Sequence, residues 1–165
     1  MQIRVAGIEK ESIVDGPGIR YVVFAQGCSH NCPGCHNPET HSFDGGSMVE
    51  IDKIIQEVKS NPLLDGITLS GGEPLDQADG FAELAQKAGE LGLNVMIYSG
   101  YTYEKIMRGT NPKWDRLLGL ADILVDGPFI RNEQDMTLKF RGSKNQRIID
   151  LKKTRLAGTI VLADI

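Results

Sequence analysis

The chain has 165 residues, 41% hydrophobic and 24% charged, with a formal net charge of −4. This is enough apolar chain for one domain with its own core, and the acidic balance excludes a general nucleic-acid binder. No apolar run approaches the roughly 20 residues of a membrane span, and charges interrupt MQIRVAGIEKESIVDGPGIR where a signal peptide would be apolar, so a single cytoplasmic domain over residues 1–165, with no membrane partner, is expected.

Short, nearly continuous apolar runs read as strands buried on both faces, as in a parallel sheet. The first is IRYVVFA at 19 to 25. After the cysteine segment comes SMVE, in which Ser47 and Glu50 have capping-box spacing and Met48, Ile51, Ile54, Ile55 and Val58 form an apolar stripe. A helix is predicted there, stopped near Asn61 and Pro62. GITLS at 66 to 70 is the next strand, followed by a helix from 79 to 91 with Phe81, Leu84, Ala85 and Ala88 inward and Gly92 as its stop. LNVMIYS at 93 to 99 and ADILVD at 121 to 126 are further strands, with shorter helical pieces after Thr102 and Pro112, and TIVLA at 159 to 163 is the last apolar run. Strands alternating with helices imply right-handed βαβ units. Four or five units are too few for an eight-stranded barrel of about 250 residues, so the expected fold is α/β, a partial, open βα barrel with a parallel sheet. No internal repeat or linker calls for a second domain.

The segment QGCSHNCPGCHNPET, residues 26 to 40, holds all three cysteines and two of the three histidines. Three thiols cannot all pair within a chain, and a reducing compartment would keep them reduced, so a disulfide framework is the poorest reading. Cys28, Cys32 and Cys35 have the spacing C-x3-C-x2-C in a loop that follows a strand, where α/β folds place their chemistry. Such a loop can wrap a compact centre of iron and sulfur, or zinc completed by His30 or His36; buried core thiols are the bland alternative. Three protein ligands on a four-iron cluster would leave one iron open to a reactant. Farther on, SGGEP at 70 to 74 ends a predicted strand, and its paired glycines either make a tight turn or let a ligand approach the main chain.

The order of these two motifs resembles the radical S-adenosylmethionine (SAM) enzymes. The resemblance implies a 4Fe-4S cluster on Cys28, Cys32 and Cys35, with SAM chelating the open iron. It further implies SAM contacts from Gly34, Cys35 and His36 around the third cysteine, and from Gly71, Gly72 and Glu73. The family often has an aromatic residue where this chain has Gly34. DGPGIR at 15 to 20 and CHNPET at 35 to 40 are similar to the glycyl-radical enzyme activating proteins, and LVDGPF at 124 to 129 with FRGSKNQRIID at 140 to 150 to those that activate anaerobic ribonucleotide reductases. The implied partners are an anaerobic ribonucleoside-triphosphate reductase, which would receive a glycyl radical, and an electron donor such as flavodoxin. No acid-base pair or nucleophile is assigned beyond the cluster ligands. Alternatives are an activator of another glycyl-radical enzyme such as pyruvate formate-lyase, a small-molecule radical SAM enzyme, and a zinc or iron-sulfur binding module without catalysis.

Asp126, at a strand end, reads either as a contact to SAM or a bound cation or as a hydrogen-bonding partner of its own loop, and Arg141 and Asn145 read as contacts to the cofactor or the partner. Trp114, Tyr98, Tyr101 and Tyr103 read as packing residues, and His41 receives no role. Residues 137 to 155 carry seven Lys or Arg against one Asp, either a solvated face or a docking surface. LKKTRLAGTIVLADI matches nothing in the family and reads as a further strand or a tail.

Overall fold

A computed structural model of the chain describes residues 1–30, 32–35 and 38–165. Seven strands form one sheet in the order β3-β1-β2-β4-β5-β6-β7: β1 Gln2–Ser12, β2 Arg20–Ala25, β3 Ser47–Glu50, β4 Gly66–Gly71, β5 Asn94–Tyr98, β6 Ile123–Asp126 and β7 Arg147–Asp150. The centre, β2-β4-β5-β6, is parallel, as the apolar runs predict; β1, β3 and β7 join antiparallel. The expectation of an α/β fold therefore holds, with a sheet that is mixed at its margins.

Alternation along the central strands sends two different sets of side chains to the two faces. Tyr21 and Val23, Ile67 and Leu69, Val95 and Ile97, and Leu124 point into the main core, which they share with the helices. Those helices are α1 Ile51–Lys59, α2 Ala78–Glu90, α3 Tyr103–Arg108 and α4 Pro112–Gly119. Helix α2 supplies Phe81, Leu84, Ala85 and Ala88, all fully buried; at roughly 1.5–3 kcal/mol for a buried Leu or Phe side chain, this layer dominates cohesion. The residues of opposite parity include Arg20, Thr68, Met96 and Val125, and their face carries no such helical layer. Met96, Ile123 and Val125 make a small second cluster there with Tyr98, Phe140 and Ile148.

Three local expectations change. Ser47 to Glu50 form β3, paired with Gln2 to Val5 of β1, so the capping box does not form; α1 starts at Ile51 with an extended Glu50 as N-cap and no side-chain cap. The pairing partner is distant in sequence, and a local capping signal does not register it. The long β1 lies in a stretch for which no element is predicted. Only Ile3, Val5 and Ser12 of it are buried, so it lacks the apolar run that marks the central strands. The ending is neither simple strand nor simple tail: α5, Leu151–Ala157, is capped by the Asp150 carboxylate, which accepts from Lys153 N at 2.9 Å, and stops at Gly158 with φ +72°. The chain then returns along β7, with Asp150 N donating to Val161 O at 2.9 Å and Ala163 N to Ile148 O at 2.8 Å. Among the described residues no helix is long and apolar enough to cross a membrane.

Candidate functional site

The carboxyl ends of β2 and β4 are neighbours in the sheet, Ala25 opposite Gly71, so the cysteine loop after β2 and the Gly-Gly turn after β4 meet. Gly72 N donates to Ala25 O at 2.7 Å and Glu73 N to Gly27 O at 2.8 Å. Only glycine fits this closeness. A Cβ on Gly72 would strike the Gly27 carbonyl, and Gly71 has φ +87° with a Cβ there falling 2.5 Å from Ala25 N. The far side of the loop is tied by Gly27 N to Thr40 O at 2.6 Å and Cys28 N to His41 O at 3.2 Å, and Cys35 N closes a turn onto Cys32 O at 3.2 Å.

Cys28, Cys32 and Cys35 are half-buried, none is in a disulfide, and all three line a cavity of about 720 Å³. They do not converge on a point: among the described residues, no three His, Cys, Asp or Glu side chains are grouped to hold one metal ion. Gly71 and Gly72 also form part of its wall, and Phe24, Ser70 and Tyr98 from the sheet form the floor. The roof comes from the long connection between β6 and β7, through Phe129, Met136, Leu138 and Phe140. Tyr98 donates to Phe140 O at 2.6 Å, and burial pushes its phenol pKa up. A smaller hollow of about 420 Å³ between the starts of α2 and α4 contains no cysteine.

The proposed SAM contacts separate. Cys35, Gly71 and Gly72 face the cavity. Glu73 is fully buried and is not part of the cavity lining; its Oε1 accepts from His30 Nε2 at 2.5 Å, Gly100 N at 2.8 Å and Ser99 Oγ at 3.0 Å, and its Oε2 from Leu75 N at 3.1 Å. Gly34 is exposed with φ +73°, and a Cβ there would lie 2.5 Å from Arg131 Nε. The guanidinium of Arg131 thus fills the space that a side chain at position 34 would take. His36 lies outside the described residues.

DGPGIR is organised around Arg20, a guanidinium only 1% exposed. Its Nε donates to Thr68 Oγ1 at 2.7 Å, Nη1 to Pro17 O at 3.0 Å, and Nη2 to Ile67 O at 2.9 Å and Asn94 Oδ1 at 2.9 Å. Burial lowers its pKa to about 10. Gly16 packs on its aliphatic stem, and Thr68 Oγ1 donates to Asp15 O at 2.9 Å, which leaves Asp15 in the cavity wall.

Asp126 does not line the cavity. It accepts from Tyr103 N at 2.8 Å and from Arg147 Nε at 3.0 Å and Nη2 at 2.5 Å, and Arg147 also grips Glu104; the bonds to Asp126 first and to Glu104 second hold the Arg147 pKa above its ordinary value. Arg141 lines the cavity and donates to Gln146 O at 2.6 Å, and Asn145 Nδ2 donates to Pro128 O at 2.7 Å. The basic segment therefore divides: Arg141 lines the cavity and Arg147 ties β7 to Asp126 and Glu104, while Lys139, Lys144, Lys152, Lys153 and Arg155 are exposed. Trp114 and Tyr101 pack as expected, ring centroids 4.7 Å apart. The sequence reading misses the cavity roles of His41, Tyr98 and Phe140. Strand parity would have placed Tyr98 opposite the core, two residues beyond Met96.

A family model described as a 4Fe-4S single cluster domain matches residues 14–149. The chain is 33% identical over 148 residues to the anaerobic ribonucleoside-triphosphate reductase-activating protein of Escherichia coli, covering 85% of this chain and 94% of that one. Its counterpart in Vibrio cholerae is 35% identical over 144 residues, 82% of this chain and 90% of the relative. The pyruvate formate-lyase-activating enzyme of Listeria monocytogenes is 36% identical over 154 residues, 89% of this chain but 61% of the longer relative.

Proposed function

The chain belongs to the 4Fe-4S single cluster domain family and, within it, to the anaerobic ribonucleoside-triphosphate reductase-activating proteins, and from that premise we propose that it is a radical SAM activase that places a glycyl radical on such a reductase. One observation carries the reading: Cys28, Cys32 and Cys35 share one cavity with the backbone of Gly71 and Gly72.

The donor set fits a 4Fe-4S cluster. Soft thiolates suit iron-sulfur centres, and a cluster takes its ligands on separate irons, so the thiols need to line a space and not meet at a point. When bound, the cluster would supply the single electron that splits SAM into methionine and a 5′-deoxyadenosyl radical. The chain's own part is to hold and enclose. Cys28, Cys32 and Cys35 hold the iron, and Gly71 and Gly72 let the amino-acid end of SAM lie against the main chain. A cavity of about 720 Å³ is within the usual range for a small-molecule site, about 300–1,000 Å³. Phe129, Leu138 and Phe140 keep water from the reacting centre.

The sheet, with helices on one face and loops on the other, is read as the incomplete barrel of this enzyme class, a single domain over the whole chain. Its open side admits the glycine-bearing loop of the reductase, and glycine suits the task because no side chain shields its α carbon. The exposed Lys139, Lys144, Lys152, Lys153 and Arg155 form a docking face for that protein, and a flavodoxin-type donor in the cytoplasm supplies the electron.

The test is to load the protein with iron and sulfide anaerobically, reduce it, and add SAM with purified reductase or with pyruvate formate-lyase. A glycyl radical resonance on the reductase together with 5′-deoxyadenosine is expected, with Cys28→Ser, Cys32→Ser and Cys35→Ser each losing iron and both products. A radical on the lyase alone would redirect the partner; no 5′-deoxyadenosine from a fully loaded protein would end the reading.

A further inference from the structure

We infer that Glu73 and His30 form a latch that fixes the cysteine loop on the Gly-Gly turn, and that Glu73 is a positioning residue with no contact to the nucleotide. The inference rests on the cavity being the cluster and SAM site, and it reassigns one residue of that site.

A carboxylate offers about four lone-pair positions. Four donors already reach Glu73: His30, Ser99 and Gly100 on Oε1, and Leu75 on Oε2. With the side chain fully buried behind the wall and Oε1 already taking three donors, no room is left for the ammonium group of a ligand. The partners are instructive. Ser99 and Gly100 follow β5, Leu75 belongs to the turn itself, and His30 lies between Cys28 and Cys32. One carboxylate therefore joins three chain segments that meet at the carboxyl ends of the strands.

His30 is built to be held. Its side chain is 15% exposed, and its ring lies over Gly100, where an added Cβ would stand 2.7 Å from Cδ2. Tyr101 meets the ring edge-on at 4.3 Å between centroids. Tyr101 rests on Trp114, whose Nε1 donates to Leu75 O at 3.0 Å, so the aromatic stack returns to the same turn. A second carboxylate repeats the arrangement one residue away: Asp76 Oδ2 accepts from Ser29 N at 3.1 Å. Two adjacent loop residues are thus bound to two carboxylates of one short turn, which fixes the loop between two of its thiols. His30 lines the cavity and Glu73 does not, so Glu73 acts on the site through His30.

The test uses the full chain, iron-loaded and anaerobic, with His30→Ala, His30→Gln, Glu73→Gln and the double variant His30→Ala with Glu73→Gln. Amide hydrogen exchange across residues 26–35 should quicken about tenfold or more in His30→Ala, as expected for losing a hydrogen bond to a charged group, and return toward wild type in His30→Gln, whose amide N–H can reach the same oxygen. SAM affinity of the loaded protein should fall about tenfold in either single variant, with Glu73→Gln adding less than about twofold on top of His30→Ala. The inference is overturned if exchange is unchanged in His30→Ala, or if Glu73→Gln exerts its whole effect in the His30→Ala background, the mark of direct contact. Should Glu73→Gln not fold, the His30 pair decides through exchange alone. Should no variant or wild type bind SAM, the exchange result still tests the latch, and the nucleotide reading fails separately.

Discussion

Tyr98 and Phe140 are joined by a 2.6 Å hydrogen bond from phenol to backbone carbonyl, and Phe140 is the one non-glycine residue with positive φ, +62°, among the described residues. The left-handed region costs an L-residue about 1–2 kcal/mol, so this bond and the packing of Phe140 on Met96 and Val125 hold a conformation the chain would otherwise leave. Tyr98→Phe should lower stability by about 1 kcal/mol and raise hydrogen exchange in residues 136–142, with exchange in α2 unchanged. Uniform loosening of both segments would show that the roof is held by something else.

The Gly-Gly turn gives a paired prediction. Gly72→Ala drives a methyl into the Gly27 carbonyl and should cost about 1–3 kcal/mol together with part of the iron content, because the loop that carries Cys28 must move. Gly89→Ala, on α2 with nothing within 4 Å of the new Cβ, should instead stabilise by roughly 0.5–1 kcal/mol. Urea melts and iron assays of the two variants read both signs.

Arg20 has no near equivalent. Arg20→Met would remove every donor from Thr68 Oγ1, Pro17 O, Ile67 O and Asn94 Oδ1 at once, and a loss of about 3 kcal/mol is expected from the charge-assisted bonds alone. Arg20→Lys should rescue only part, since an ammonium cannot span the fork. Equal stability of Lys and Arg variants in urea would contradict the geometry.

Glu104 is held below its ordinary carboxyl value first by its hydrogen bond from Arg147. A carboxylate with a depressed folded pKa contributes stability that is fully present above its unfolded value, near 4.5, and lost as pH falls through the folded value. Glu104→Gln keeps the Arg147–Asp126 pair, so it should be less stable than wild type at pH 7 and converge on it as pH falls below 4.5 and through the folded value. A stability difference that stays constant through that window would mean Glu104 contributes nothing through its charge.

What was legible in the sequence follows from how local each signal is. The central strands show themselves because both faces are buried, which makes IRYVVFA and ADILVD nearly continuous apolar runs broken only by Arg20, Asp122 and Asp126. The spacing of Cys28, Cys32 and Cys35 is likewise contained in one loop. The α5 helix had its signals, Asp150 at one end and Gly158 at the other, but seven residues with Leu151 and Thr154 as the buried pair make a weak stripe. β3 was hidden because its cause is pairing with β1, more than 40 residues away. The reassignment of Glu73 has the same origin: GGEP gives the turn, whereas the histidine that shares its carboxylate is 43 residues earlier.

The return of residues 161–163 along β7 has a bearing on solubility. The last strand of an open sheet presents unpaired amides and carbonyls to any passing chain. Here Val161 and Ala163 take up those of Asp150 and Ile148, and Thr154 on α5 secures the strap by accepting from Val161 N at 3.0 Å. The strap thereby covers the β7 margin, where free amides and carbonyls would otherwise be open to a second molecule.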